Sequence, residues 1–167
     1  MTSIELHELS LKALWIADKA HKGQKDKVGK EYIFHPMRVA DALANDKSIS
    51  ILERKECSIA GMLHDVVEDT DITLDYLREQ GFPENILFAI DCLTRREGEN
   101  YHDFIVRCCQ SYIAIKVKIA DLDDNLDVRR LKHITEKDIE RINRYLEARR
   151  YLCNRLSYLF GETIKRI

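Results

Sequence analysis

Apolar residues recur along this chain at intervals of three and four, the spacing of one face of an α-helix. Leu6, Leu9, Ala13, Ile16 and Ala20 form the first such series, and Thr2 with Glu5 can close a capping box ahead of it. GQKDKVGKE follows as a basic, glycine-containing loop. Pro36 suits the first turn of a second helix, PMRVADALAN, which puts His35 at that helix's entrance. Ser50 and Glu53 offer another capping box, for a helix running through Ile59, Leu63 and Val67. Thr73 is a candidate N-cap for LDYLREQ, with Gly81 and Pro83 as its stop signals. Residues 84–94 and the segment YHDFIVRCC predict two more helices.

SYIAIKVKIADLDDN is rich in β-branched residues, so a strand is an alternative. It is long for one strand and has no pairing partner nearby, and a buried helix is predicted instead. From Thr135 a long amphipathic helix is expected through Ile139, Ile142, Leu146, Leu152, Leu156 and Leu159, ended by Gly161. Trp15 and the tyrosines other than Tyr32 fall at core-like spacing and are read as packing. The fold class is therefore all-α, a compact bundle of about eight helices. Without repeats, low-complexity tracts or an interdomain linker, residues 1–167 are expected to form one domain.

Composition narrows the function classes. The chain's 167 residues are enough to bury a real core. A formal net charge of −2 speaks against wholesale binding to a nucleic-acid polymer or a membrane. No apolar run approaches the ~20 residues that span a bilayer. MTSIELHELS lacks a secretory pattern, so the expected location is the cytoplasm. Five cysteines, an odd number with no CxxC pair, fit reduced thiols rather than disulfides or a zinc knuckle.

The chemistry concentrates in GMLHDVVEDTDIT, residues 61–73. On a helix with His64 at zero, Glu68 falls near ~40°, Asp65 near ~100° and Asp69 near ~140°. Leu63, Val66 and Val67 lie on the opposite side, facing a core. Like charges so placed repel one another, by on the order of a few kcal/mol per pair at a partly buried site. A solvated helix end would tolerate this, but a bound divalent cation accounts for it better, with His64 and Asp65 as ligands. Gly61, one turn below the polar sector, is expected to leave room for something bound. Further ligands are sought on separate apolar elements: His35 in YIFHP, and Asp121, which interrupts the most apolar run of the chain. A carboxylate there needs a metal or a basic partner, and Lys118 on the same face is the competing partner. Two imidazoles and two carboxylates suit Mn²⁺, Fe²⁺, Co²⁺ or Zn²⁺. His7, His21, His102 and His133 stand in polar or mixed contexts and are given no chemical role. The pairs Arg129–Arg130 and Arg149–Arg150 read as solvated helix faces.

YIFHP, then LHDVVEDT, then VKIADLDDN resemble the HD-domain metal-dependent phosphohydrolases, and more narrowly the hydrolase domain of RelA/SpoT-type proteins and the small alarmone hydrolases. The resemblance covers residues 20–125. It implies an all-α HD fold, Mn²⁺ held by His35, His64, Asp65 and Asp121, and catalytic roles for Glu68 and Asp69. It also implies a phosphorylated nucleotide partner, guanine-based, with Asn125 in contact with it. The activity it implies is removal of the 3′-pyrophosphate from (p)ppGpp, giving GDP or GTP and pyrophosphate. Lys22, Lys25 and Lys27 are the nearest cations in sequence for the phosphates, and Tyr32 lies beside the site. Two features depart from the family pattern. Asp26–Lys27 replaces an Arg–Lys pair, and DLDDNLDV replaces a run closer to DRLHNMRT, so that Asp124 stands for a histidine and Val128 for a threonine. Two other readings stand beside this one: the same chemistry on a different nucleotide or phosphorylated cofactor, and a nucleotide- or metal-binding regulator without turnover.

Overall fold

The apolar series condense as α1 (Ser3–Ala20), α2 (Phe34–Ala44), α3 (Ile51–Leu63), the single turn α4 (Val66–Asp69), α5 (Leu74–Glu79), α6 (Glu84–Leu93), α7 (Tyr101–Cys108), α8 (Tyr112–Asn125) and α9 (Glu136–Phe160). These elements belong to a computed structural model that describes residues 3–161. The all-α expectation holds: among the described residues the only β pairing is an isolated antiparallel bridge between Lys25 and Glu31. The capping box expected at Thr2 lies outside the described residues.

Local signals start and stop the helices as their chemistry dictates. The Ser50 hydroxyl accepts the Glu53 N–H at 3.2 Å while the Glu53 carboxylate accepts the Ser50 N–H at 2.8 Å. Such a cap contributes about 1 kcal/mol. Thr73 and Thr135 cap α5 and α9 in the same sense. Gly161 ends α9 at φ 71°, in the left-handed region that a Cβ disfavours.

α3 and α8 form the centre. α3 packs on α1, α2, α6 and α8, and α8 also meets α2, α6, α7 and α9. Ile113, Ala114, Ile115, Val117, Ile119 and Leu122 are all buried, so α8 is apolar around most of its circumference. That is the signature of an enclosed helix, and it explains why a β-branched run is helical here. Its buried Lys116 is paired with Asp46 at 2.7 Å. All five cysteines are free thiols.

Four expectations are corrected. α3 does not continue through Val67; it stops at Leu63, and the backbone breaks at Asp65 (φ −102°, ψ −7°) before α4 restarts. His64 Nδ1 takes the Gly61 carbonyl at 2.7 Å, a group that an unbroken helix would give to the Asp65 N–H. Gly61 leaves no room for a ligand. A Cβ there would lie 2.8 Å from Leu43 Cδ1 and 3.3 Å from Val39 Cγ1, so the glycine lets α2 and α3 approach. On α9 only Ala148, Leu152 and Leu156 are buried, whereas Ile139, Leu146 and Leu159 are exposed. The earlier turns lie at the rim of the bundle, where Arg141 and Tyr145 line a cavity. Trp15 is 56% exposed and carries the Lys19 ammonium 5.2 Å from its ring centre, and Tyr158 is also exposed.

Candidate metal centre and anion pocket

Three helices converge on one point. α2 carries His35 in its first turn, α3 is followed by its C-cap His64 and then Asp65, and α8 presents Asp121. One ligand atom from each of His35, His64 and Asp121 lies within 4.8 Å of the others, and all three residues are buried. His35 Nε2 stands 3.1 Å from Asp121 Oδ1 and 3.7 Å from Asp65 Oδ2. His64 Nε2 stands 2.9 Å from Asp65 Oδ2 and 3.8 Å from Asp121 Oδ1. The four residues read as ligands are thus brought together.

The donor set fits a divalent cation. The Gly61 carbonyl can only accept, so His64 Nδ1 carries the proton and Nε2 is left with a lone pair. That Nε2 is buried without a hydrogen-bond partner; the Asp65 oxygen is close but not placed as an acceptor. Asp124 likewise takes the His35 Nδ1–H at 2.7 Å. Both imidazoles therefore aim lone pairs at carboxylates, an arrangement that requires positive charge between them. Without a metal, protons answer the same demand. Burial opposes charging His35, but hydrogen bonds to Asp121 and Asp124 outweigh it and raise its pKa to about 9. Burial also opposes charging Asp65, but the charge of His64 beside it outweighs this and holds the carboxyl below the usual carboxylate range. Asp121 is held well below the usual carboxylate range: burial is outweighed by Lys118, whose Nζ donates to Oδ2 at 2.8 Å, and by the histidines. Lys118, the competing partner, is therefore present together with the histidines; Asp121 Oδ1 faces them and also accepts from Asn125 Nδ2 at 2.6 Å.

Glu68 and Asp69 behave oppositely. Burial is the main cause raising Glu68, with the Arg95 N–H pulling it back and the charges of Asp65 and Asp69 adding to the rise. Asp69 is raised by burial and then by Asp65. Glu68 and Asp69, on the exposed side of the site, are thus pushed up where Asp65 and Asp121 are pushed down.

Above these groups opens a cavity of about 430 Å³. Tyr32, Asn125, Lys25 and Lys27 line it, and Tyr32 donates its hydroxyl to Asp65 Oδ2 at 2.6 Å. Lys25 is paired with Glu31, and Lys22 is exposed and away from the lining. Sequence reasoning missed Arg38, Arg130, Arg141 and Tyr145, which also line the cavity. Arg38 had a detectable signal, since it follows His35 by three residues on one helix face. His21, set aside as polar surface, is buried, with Nδ1 2.8 Å from Gln24 Oε1.

No protein-family model matches the chain. Among curated relatives, a GTP pyrophosphokinase of Myxococcus xanthus is 32% identical over 91% of this chain. A guanosine-3′,5′-bis(diphosphate) 3′-pyrophosphohydrolase of Aquifex aeolicus is 32% identical over 69% of it, and one of Borreliella burgdorferi is 42% identical over 50%. The chain is a RelA/SpoT-type HD domain. It spans 21%, 17% and 12% of the lengths of these three relatives. A solved structure of a metazoan ortholog of SpoT, described as hydrolysing ppGpp, shares the fold. Its TM-score is 0.69 over 89% of this chain and 85% of that one, at 24% identity. HD hydrolases imply a divalent metal, and the His/Asp set of this HD domain can hold one. No helix among its described residues is long and apolar enough to cross a membrane.

Proposed function

We propose that this HD domain is a Mn²⁺-dependent phosphohydrolase that removes the 3′-pyrophosphate from (p)ppGpp, leaving GDP or GTP. The observation that carries the reading is the convergence of His35, His64, Asp65 and Asp121, with Glu68 and Asp69 lining the same cavity. The four residues would hold the ion, and a bound divalent ion supplies a polarised phosphate oxygen and a water acidified toward neutrality. Glu68 and Asp69 take a proton from the attacking water and return one to the ribose 3′-oxygen as its bond to phosphorus breaks. The Arg95 N–H, 2.7 Å from Glu68 Oε2, fixes that carboxyl's direction. Tyr32 keeps its proton, because burial and the Asp65 charge push its pKa up, and it orients Asp65. From the cavity wall Lys27 offers a donor to the nucleotide, and Asn125, whose amide N–H groups go to Asp121, offers its Oδ1 as an acceptor. The names of the relatives divide between pyrophosphokinase and pyrophosphohydrolase. A water-activating His/Asp set with two proton carriers favours hydrolysis.

A specific feature favours the reading in which another nucleotide or a phosphorylated cofactor is the substrate. Asp26 accepts the N–H groups of Val28 and Lys30 at 3.0 and 2.9 Å, so its carboxylate builds the loop. With Asp127 it adds negative charge to the lining of a pocket meant for phosphates. Incubation of the pure protein with ppGpp and Mn²⁺, beside a panel of nucleotides and phosphorylated cofactors, decides between the two. Pyrophosphate release from ppGpp that an Asp65→Ala control abolishes supports the first. Preferential turnover of another compound replaces it with the second.

A further inference from the structure

We propose that Asp124 is the positioning residue for His35, forming a carboxylate–histidine–metal relay that Arg38 and Arg130 lock in place. The proposal rests on the metal site of the preceding section and adds residues outside its four ligands. α8 presents Asp121 and Asp124 three residues apart, on one face, and the two carboxylates grip opposite ends of the same imidazole. Asp121 Oδ1 lies 3.1 Å from Nε2, and Asp124 Oδ2 accepts from Nδ1 at 2.7 Å. An ionised carboxylate has no proton to give, so its contact with Nδ1 fixes the proton there and turns the Nε2 lone pair toward Asp121 and Asp65.

The carboxylate is itself immobilised. Arg38 donates through Nε to Oδ1 at 2.6 Å and through Nη2 to Oδ2 at 3.0 Å, a two-pronged clamp. Arg130 approaches Oδ2 to 3.2 Å and donates to the Asp124 backbone carbonyl. The Asp124 side chain is 12% exposed and that of Arg38 37%, so the carboxylate end of the clamp is the sheltered one. His64 needs no such device, since its Nδ1 is held by the Gly61 carbonyl. The two metal-facing histidines are therefore oriented by different means: one by backbone, the other by a charged side chain that a single substitution can remove.

This assignment changes what two cavity arginines do. Arg38 and Arg130 line the pocket and invite a reading as phosphate clamps. Arg38 instead directs Nε and Nη2, and Arg130 its Nη2, at Asp124, so Arg38 acts on the metal through Asp124 and His35. Loss of Arg38 should weaken metal binding, whereas loss of a phosphate clamp would raise KM and leave metal affinity alone.

The test is Mn²⁺ binding by the intact chain, measured by isothermal titration for the parent, Asp124→Asn, Asp124→Leu and Arg38→Gln, each checked for parental helical content by circular dichroism. Asn preserves shape while removing the charge, which keeps the test usable if the Leu variant fails to fold. Loss of an outer-shell partner costs about 10- to 100-fold in metal affinity. The expectation is about tenfold for Asp124→Asn, toward 100-fold for Asp124→Leu, and a several-fold loss for Arg38→Gln. Long-range proton–nitrogen spectra of ¹⁵N-histidine protein loaded with diamagnetic Zn²⁺ should place the His35 proton on Nδ1, and Asp124→Leu should lose that signature. Folded Asp124 variants that bind Mn²⁺ within twofold of the parent would overturn the relay, as would a His35 proton on Nε2 in the loaded parent. If affinities fall as expected but ppGpp is not hydrolysed, the relay stands and the substrate assignment falls. A parent that binds no Mn²⁺ removes both.

Discussion

Gly61→Ala separates two meanings of a glycine one turn before the metal-facing histidine. If the glycine leaves space for a bound group, adding a methyl should spare the fold and damage binding. The geometry requires the opposite. The new Cβ would sit 2.8 Å from Leu43 Cδ1 and 3.3 Å from Val39 Cγ1, both on α2. Ordinary carbon contacts lie at ~3.5–4.0 Å, so Leu43, itself buried, must move. Overpacking of this kind costs about 1–3 kcal/mol, against about 1 kcal/mol gained by replacing glycine with alanine inside a helix. The net effect is a loss of up to about 2 kcal/mol, or roughly 4–8 °C in Tm at ~2–4 °C per kcal/mol. The sign is tested in a second background. Leu43→Ala removes the obstructing atom and alone costs about 2–5 kcal/mol. In that background Gly61→Ala should stabilise by up to about 1 kcal/mol, because the helix gain remains and only the 3.3 Å approach to Val39 Cγ1 is left to relax. Urea unfolding of the four proteins of this cycle measures the coupling. Stabilisation of the parent by Gly61→Ala, or equal effects in both backgrounds, would refute the reading of Gly61 as a close-approach residue between α2 and α3.

Other expectations follow from the same geometry. Glu68→Gln and Asp69→Asn should each lower turnover by about 10²–10⁴-fold while Mn²⁺ affinity stays within a few-fold, as kinetics and calorimetry on one preparation would show. Chelation should lower Tm. An ion present at 100 times its Kd stabilises by about 2.7 kcal/mol, so EDTA is expected to cost roughly 5–11 °C, and an unchanged Tm would count against a resident metal. The segment 94–100 that aims the Arg95 N–H at Glu68 is held by Arg107. It donates to the Glu99 carboxylate at 2.8 and 2.7 Å and to the carbonyls of Asp91 and Thr94 at 2.7 and 2.8 Å. The hydrogen bond from Arg107 depresses Glu99 from 4.5 to about 2. A depressed carboxyl stabilises above its unfolded value and loses that contribution as pH falls through its folded one. Urea midpoints should therefore drop between about pH 4.5 and pH 2, and the drop should be shallower in Glu99→Gln, with equal slopes contradicting the pairing.

What the sequence disclosed depended on whether the signal was local. α8 could be recognised as a helix because its length and unbroken apolar character left it no plausible strand partner. The caps at Ser50, Thr73 and Thr135 were readable because capping needs only residues three apart. His35, His64, Asp65 and Asp121 stood out as polar groups inside apolar runs, and the structure draws them together. What escaped was set by neighbours distant in sequence. Gly61 lies in the polar sector of its own helix, and only the approach of α2 shows that it serves packing. The break at Asp65 carries no glycine or proline; a side-chain hydrogen bond from His64 accompanies it. Asp124 looked like a departure near a nucleotide pocket, and its partners His35 and Arg38 lie 89 and 86 residues away. The exposed turns of α9 show the converse: apolar periodicity marks a face, but another element must be present to cover it.

The most direct measurement is anomalous scattering from crystals of this HD domain grown with Mn²⁺, recorded on both sides of the manganese edge. A single strong peak is expected, bounded by the Nε2 atoms of His35 and His64 and by carboxylate oxygens of Asp65 and Asp121, with Glu68 and Asp69 facing it. A featureless map at that position, or His35 rotated so that Nε2 leaves Asp121, would contradict the claim that a metal is what these buried, mutually repelling groups are arranged to bind.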